Sequence, residues 1–92
     1  MKSIIQTEKE CFITGKKTGL ESHHIFGGNP NRKNSEKYGL KVWLCYEYHR
    51  GDRGVHNDEK LALWLHKVGQ RAFEDKCGTR EDFVRVFGRN YL

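Results

Sequence analysis

The run Glu21-Ser-His-His-Ile-Phe-Gly-Gly28 carries the feature that decides the fold, two adjacent histidines at the end of a β-prone segment. Two later segments read Leu44-Cys45-(x)3-His49 and Gly54-Val55-His56. Four of the five histidines therefore fall in three short clusters. Neutral imidazole is a good ligand for zinc and other first-row metals. The spacing of these clusters predicts a compact metal site.

The segments around this run predict two strands. The β-prone pieces Cys11-Phe-Ile-Thr14 and Ser22-His-His-Ile-Phe26 flank the turn-forming stretch 15–19, so we expect a short turn or hairpin that leads into a strand. Residues 27–39 are rich in Gly and Asn with one aromatic, Tyr38, and we expect them to form a solvated loop. The next run, Leu40-Lys-Val-Trp-Leu-Cys45, predicts a strand that enters the core.

The last third of the chain predicts two helices. Asn57 or Asp58 can cap a helix over about residues 58–76, and Gly78 can end it. Thr79, followed by two acidic residues, starts a shorter helix that ends near Gly88. The apolar positions of the longer helix follow helical spacing and are Leu61, Trp64, Leu65, Val68, Ala72 and Phe73.

These elements predict an α+β fold in a single domain over residues 1–92. The core is expected over about residues 11–76, with a C-terminal helical extension over about residues 79–92. A chain of 92 residues lies in the size range where a hydrophobic core alone gives marginal stability. We therefore expect further support from a metal or a partner.

The composition is that of a basic, polar globular protein. Lys and Arg number 17 against 12 Asp and Glu, and the net charge of +5 favours a polyanionic partner. Three cysteines at irregular spacing do not indicate a disulfide framework. The apolar run Leu61–Leu65 is too short to cross a bilayer, and the N-terminus lacks the apolar run of a signal peptide. We expect a cytoplasmic protein with no membrane partner.

Strand geometry assigns different roles to the adjacent histidines. Because successive side chains of a strand point to opposite faces, His23 and His24 are not both expected to bind one metal ion directly. One imidazole can bind the metal while its neighbour deprotonates a water molecule. His66, in the middle of an amphipathic helix, is expected to be a surface or packing residue without a chemical role.

The full pattern resembles the HNH nucleases with a ββα-metal fold, particularly small phage and prophage members. The resemblance rests on Cys11-(x)11-His23-His24-Ile25, a glycine-rich loop, Cys45-(x)3-His49 and Gly54-Val55-His56, and it covers most of residues 11–92. It implies a core of a short β-hairpin packed on a helix, with the additional C-terminal helix outside that core. It also implies a phage or prophage protein that works in the cytoplasm of a bacterial host cell.

The resemblance implies a role for each histidine of the clusters. His23 would bind the metal and His24 would be the general base, with His49 and His56 as the other ligands and Asn57 as an alternative to His56. The cofactor would be one divalent ion, Mg, Mn, Ni or Zn. The candidates for the central asparagine of the family are Asn29, Asn31 and Asn34.

The cysteines depart from the family pattern. Many HNH proteins hold a structural zinc ion with two Cys-x-x-Cys or Cys-x-x-His pairs, but here Thr14 and Tyr48 occupy the second position of each pair. Cys11 and Cys45 alone do not make a closed tetrahedral site. We therefore expect no structural zinc, with these two residues as remnants, and Cys77 as a packing residue.

These residues predict a metal-dependent DNA endonuclease, a phosphodiester hydrolase of low sequence specificity. By resemblance the products would carry a 5′ phosphate and a 3′ hydroxyl, and a phage recombination or packaging protein could supply the target. The residues expected to contact the DNA backbone are Arg32, Lys33, Arg50 and Arg53. The alternatives are a non-catalytic, metal-stabilised nucleic-acid-binding phage protein and a structural or regulatory phage protein with a decayed site.

Overall fold

The computed structural model describes residues 1–92 as two strands and four helices. Strands β1 (Leu20–His24) and β2 (Lys41–Cys45) pair antiparallel, in a register that runs from Leu20 opposite Cys45 to His24 opposite Lys41. The helices are α1 (Asn31–Tyr38), α2 (Tyr46–His49), α3 (Glu59–Lys76) and α4 (Arg80–Phe87). The predicted α+β class is confirmed at this level, and none of the helices is long and apolar enough to span a membrane.

The two helices predicted in the last third of the chain are confirmed as α3 and α4, together with their N-terminal caps. Asp58 accepts hydrogen bonds from the backbone N–H groups of Lys60 and Leu61 at the start of α3. Thr79 and Asp82 form a reciprocal capping box at the start of α4, and Gly88 ends that helix in the left-handed conformation. These local hydrogen bonds satisfy backbone groups that a helix end leaves unpaired.

The core contains residues from β2, α3 and α4 and from the segments between the elements. Ile25 and Phe26, directly after β1, lie against Gly69 of α3, where an added Cβ would come within 2.9 Å of both side chains. Close approach of α3 to the end of β1 therefore depends on a residue without a side chain at position 69. The buried apolar residues are Cys11, Ile25, Phe26, Leu40, Val42, Leu44, Cys45, Val55, Leu65, Phe73, Phe83 and Phe87.

The expectation of a solvated loop over residues 27–39 is wrong, because α1 occupies most of this segment. The helix lacks an apolar stripe, but Ser35 is fully buried and its hydroxyl bonds both the N–H and the carbonyl of Phe26. Pro30 precedes the helix and Gly39 ends it in the left-handed conformation, with its N–H bonded to the carbonyls of Ser35 and Glu36. Polar anchoring and end signals, rather than hydrophobic periodicity, define this helix.

The turn or hairpin expected before the first strand is a turn, in which the N–H of Gly15 bonds back to the carbonyl of Cys11 at 2.8 Å. Two smaller expectations fail. Trp64 is 45% exposed, although the helical spacing predicted it in the core. Cys77, expected to pack, is exposed at the end of α3.

Candidate metal centre and its cavity

Three histidines from different elements converge on one point. His23 comes from β1, His49 from the end of α2, and His56 from the loop before α3. Their ring centroids are 5.2 Å apart for His23 and His49, 5.6 Å for His23 and His56, and 4.9 Å for His49 and His56. One ring nitrogen from each lies within 4.8 Å of the others, so the predicted ligand set is brought together as a cluster of three donors.

The seven-residue interval between His49 and His56 closes because the chain folds back tightly on α2. A Cβ at Gly54 would lie 2.6 Å from the carbonyl oxygen of His49, so only glycine permits this approach. Val55 is buried, and its N–H donates to the carbonyl of Tyr48 at 3.0 Å. Asn57, the alternative ligand, donates its amide to the carbonyl of Gly51 at 2.9 Å and thereby fixes the same turn.

A carboxylate orients one of the three imidazoles. Glu21 Oε1 lies 2.8 Å from Nδ1 of His49 and also pairs with the guanidinium of Arg50. The Arg50 guanidinium and then His49 hold the pKa of Glu21 well below its usual range, so Glu21 is an acceptor only and His49 Nδ1 donates to it. Nε2 of a neutral His49 is then left with its lone pair, the arrangement of a metal-ligating histidine backed by a carboxylate.

His23 is held in the neutral form. Its ring is half-buried, and burial, followed by the neighbouring His49 and His56 rings, lowers the pKa of His23 to about 3. A neutral imidazole is the form that can bind a metal ion.

His24 does not belong to the three-histidine cluster, as the alternation of side chains along a strand predicts. Its Nε2 lies 2.9 Å from Oε1 of Glu36. The same oxygen accepts from Lys41 Nζ, and Oε2 accepts from the amino terminus of Met1. The amino terminus, followed by His24 and Lys41, keeps the pKa of Glu36 far below its usual range. Since an ionised carboxylate only accepts, His24 Nε2–H donates, and Nδ1 is the nitrogen that remains free to take a proton.

None of the three candidate central asparagines is the hydrogen-bond partner of His24. The side-chain amide of Asn31 donates to the carbonyl of Phe87 at 3.3 Å and that of Asn34 to the carbonyl of Val86, so these two residues connect α1 to α4. Glu36 occupies the position next to the imidazole instead.

The three-histidine cluster and His24 line one cavity of about 460 Å³. His66 stacks on Phe26 with 5.2 Å between ring centroids, so the predicted packing role is present. His66 also lines the cavity, which the sequence did not predict. Burial lowers the pKa of His66. The lining contains no acidic residue and consists of Ser22, His23, His24, Ile25, Gly27, Gly28, Arg32, His49, Val55, His56, Ala62 and His66.

The four basic residues expected at DNA have different surroundings. Arg32 lines the cavity and its side chain has no hydrogen-bond or ion-pair partner, whereas Arg50 is paired with Glu21. Lys33 and Arg53 are exposed outside the cavity lining.

The cysteines lie apart from the histidine cluster. Cys11 and Cys45 are buried in the core, and no cysteine belongs to a group of three metal donors. Burial raises the pKa of Cys11, but hydrogen bonds from Thr14 and from the Cys45 backbone outweigh it and lower that pKa to about 7.

Sequence reasoning missed the two carboxylates that orient the histidines. Glu21 lies two residues before His23 and therefore on the same face of β1, so strand periodicity could have indicated it. Glu36 meets His24 only because residues 31–38 are helical, and the sequence signals for that helix were weak.

This chain matches no protein-family model, no curated protein and no solved structure.

Proposed function

We propose that this protein is a metal-dependent DNA endonuclease of low sequence specificity, built on a ββα-metal core of the HNH type. The observation that carries the proposal is one cavity lined by three convergent imidazoles and by a further histidine, His24, whose carboxylate partner Glu36 lies outside the lining. The net charge of +5 and the absence of acidic side chains from the cavity lining favour a polyanionic substrate.

The donor set of the cluster fits a divalent first-row metal ion. Three imidazole nitrogens within 4.8 Å leave further coordination positions for water or substrate, as open catalytic sites require. The Glu21 carboxylate fixes the tautomer of His49, and His23 is neutral by burial. A bound ion would supply Lewis-acid stabilisation of negative charge on the phosphate.

His24 is the general base of the proposed reaction. Its free Nδ1 takes a proton from a water molecule, and the water oxygen attacks the phosphorus atom while the bond to the 3′ oxygen breaks. Glu36 accepts the Nε2–H hydrogen bond, holds the ring in one tautomer and stabilises the imidazolium that forms. The leaving 3′ oxygen takes a proton from solvent, so the products carry a 5′ phosphate and a 3′ hydroxyl.

The experiment that tests this proposal is nicking of supercoiled plasmid in Mg²⁺, Mn²⁺, Ni²⁺ or Zn²⁺. We expect metal-dependent nicking by the wild type and a loss of about 100-fold or more in His24→Ala, because a positioned base contributes about 100- to 10,000-fold. His49→Ala should lose both nicking and the metal-dependent rise in Tm, whereas His24→Ala should keep that rise. Equal nicking by the wild type and by His24→Ala prepared in parallel would contradict the proposal.

A non-catalytic, metal-stabilised nucleic-acid-binding protein is the second candidate. The observation in its favour is that the three histidines join β1, α2 and the loop before α3, so an ion there would stabilise a small fold. Metal-dependent melting together with salt-sensitive DNA binding, and no cleavage in any of the four ions, would favour this candidate.

A further inference from the structure

Part of the cavity lining is not used by the proposed chemistry. We call it the Arg32 wall and define it as Gly27, Gly28, Arg32 and His66. We infer that the Arg32 wall binds the phosphate group adjacent to the scissile phosphate on the same DNA strand. This inference rests on the proposed function and extends it to a second subsite.

The cavity has room for more than the reacting group. Its volume of about 460 Å³ lies within the range of about 300–1,000 Å³ typical of sites that enclose a small ligand. The three-histidine cluster comes from β1, α2 and the loop before α3, whereas Arg32 comes from α1 and the glycines precede that helix. A DNA strand carries a phosphate on each nucleotide, so a cavity lined by the histidine cluster and also by a basic residue of another element suits two successive phosphates.

Arg32 is the charged member of the wall. Its guanidinium makes no ion pair, and the cavity lining contains no carboxylate that could neutralise it. Arg50, by contrast, is engaged by Glu21. A free guanidinium in a concave, acid-free site matches a phosphate group, which it can bind through two parallel N–H donors.

Gly27 is glycine without a structural need for it. Its φ lies outside the left-handed region, and an added Cβ would meet no atom within 4 Å. Gly28 differs, because its φ of 81° favours glycine for conformational reasons. The fold therefore does not require glycine at position 27. Because Gly27 lines the cavity and has no side chain, the backbone of a bound DNA strand can approach closely there.

His66 is the packed member of the wall. Its ring lies against Phe26 and Tyr91, with centroid distances of 5.2 and 4.6 Å, so its orientation is fixed by packing. Because the ring also lines the cavity, it gives the wall a rigid surface.

The first test is DNA binding by the full-length chain in EDTA, with a fluorescein-labelled duplex oligonucleotide and fluorescence anisotropy. Arg32→Ala should raise the Kd about tenfold or more, since a charge-assisted hydrogen bond is lost. The matched control is Lys37→Ala, which removes one positive charge from the same helix outside the cavity lining, and its effect should stay within about twofold. Gly27→Ala should weaken binding with an unchanged Tm.

The second test separates the adjacent phosphate from the scissile one. Bis(p-nitrophenyl) phosphate has one phosphodiester and no neighbouring phosphate, so Arg32→Ala should slow plasmid nicking about tenfold and leave hydrolysis of the small diester within about twofold of wild type. Equal losses on both substrates would overturn the inference and assign Arg32 to the scissile phosphate.

The outcomes for the two proposals are distinguishable. If the protein does not cleave DNA, but Arg32→Ala raises the Kd and Lys37→Ala does not, the nuclease proposal is contradicted and the phosphate subsite is supported. If the protein cleaves DNA and the Kd values of Arg32→Ala, Gly27→Ala and Lys37→Ala are equal, the phosphate-subsite inference is overturned and the nuclease proposal is supported. A wild type that binds no DNA would overturn both.

Discussion

Replacement of Glu21 by glutamine should weaken metal binding at the three-histidine cluster. Glu21 accepts the hydrogen bond from Nδ1 of His49 at 2.8 Å and so leaves Nε2 as the nitrogen that can bind a metal ion. Glutamine keeps the shape and removes the charge that raises the basicity of the ring. Loss of such an orienting carboxylate costs about 10- to 100-fold in metal affinity.

The magnitude follows from binding linkage. At a metal concentration about 100 times the wild-type Kd, binding stabilises the folded chain by about 2.7 kcal/mol. If the affinity is tenfold weaker, that stabilisation falls to about 1.4 kcal/mol. For a chain of this size, the difference of about 1.3 kcal/mol corresponds to a metal-dependent rise in Tm that is smaller by about 5–10 °C.

The assay is isothermal titration calorimetry with Zn²⁺, Ni²⁺ and Mn²⁺, together with thermal melts at fixed metal concentration. Glu36→Gln is the matched control, because it removes the same charge from the carboxylate that contacts His24 instead of His49. Its metal Kd should equal that of the wild type. Equal metal affinities for wild type and Glu21→Gln, or an equal loss in both variants, would refute this account of the site.

Three further predictions concern catalysis and stability. Glu36→Gln should slow plasmid nicking by at least about tenfold, because His24 loses the partner that holds its tautomer; an unchanged rate would contradict the positioning role. Gly69→Val should lower stability in urea by about 1–2 kcal/mol, since its Cβ would come within 2.9 Å of Ile25 and Phe26 side-chain atoms; a midpoint at the wild-type value would show that α3 can move. Thr79→Ala should cost about 1 kcal/mol through loss of the α4 cap. The ionised Asp82 carboxylate makes a separate contribution: hydrogen bonds from the Thr79 backbone, then its side chain, lower the pKa of Asp82, so the contribution of this carboxylate is complete at neutral pH and is lost as the pH falls below the usual Asp value of about 4; a stability that stays constant across that acid range would argue against it.

The parts of the fold that local chemistry encodes could be predicted from the sequence. The ends of α3 and α4 follow from Asp58, Thr79 and Gly88, whose capping preferences do not depend on distant contacts. The split between His23 and His24 follows from the two-residue period of a strand.

The missed parts depend on tertiary contacts. Helix α1 contains a buried serine, Ser35, whose hydroxyl bonds the Phe26 backbone. A hydrophobic pattern in the sequence does not predict a contact of this kind. The partnership of His24 with Glu36 depends on that helix. Trp64 has helical core spacing yet lies exposed, because the buried face of α3 runs instead through Leu65, Gly69 and Phe73.

The most direct test of the central claim is a crystal structure of the protein soaked with Mn²⁺, with the ion located by anomalous scattering. We predict one ion bound by ring nitrogens of His23, His49 and His56, with His24 unbound and hydrogen-bonded to Glu36. An ion bound to His24, or bound at any place other than the three-histidine cluster, would contradict the assignment of ligands and base.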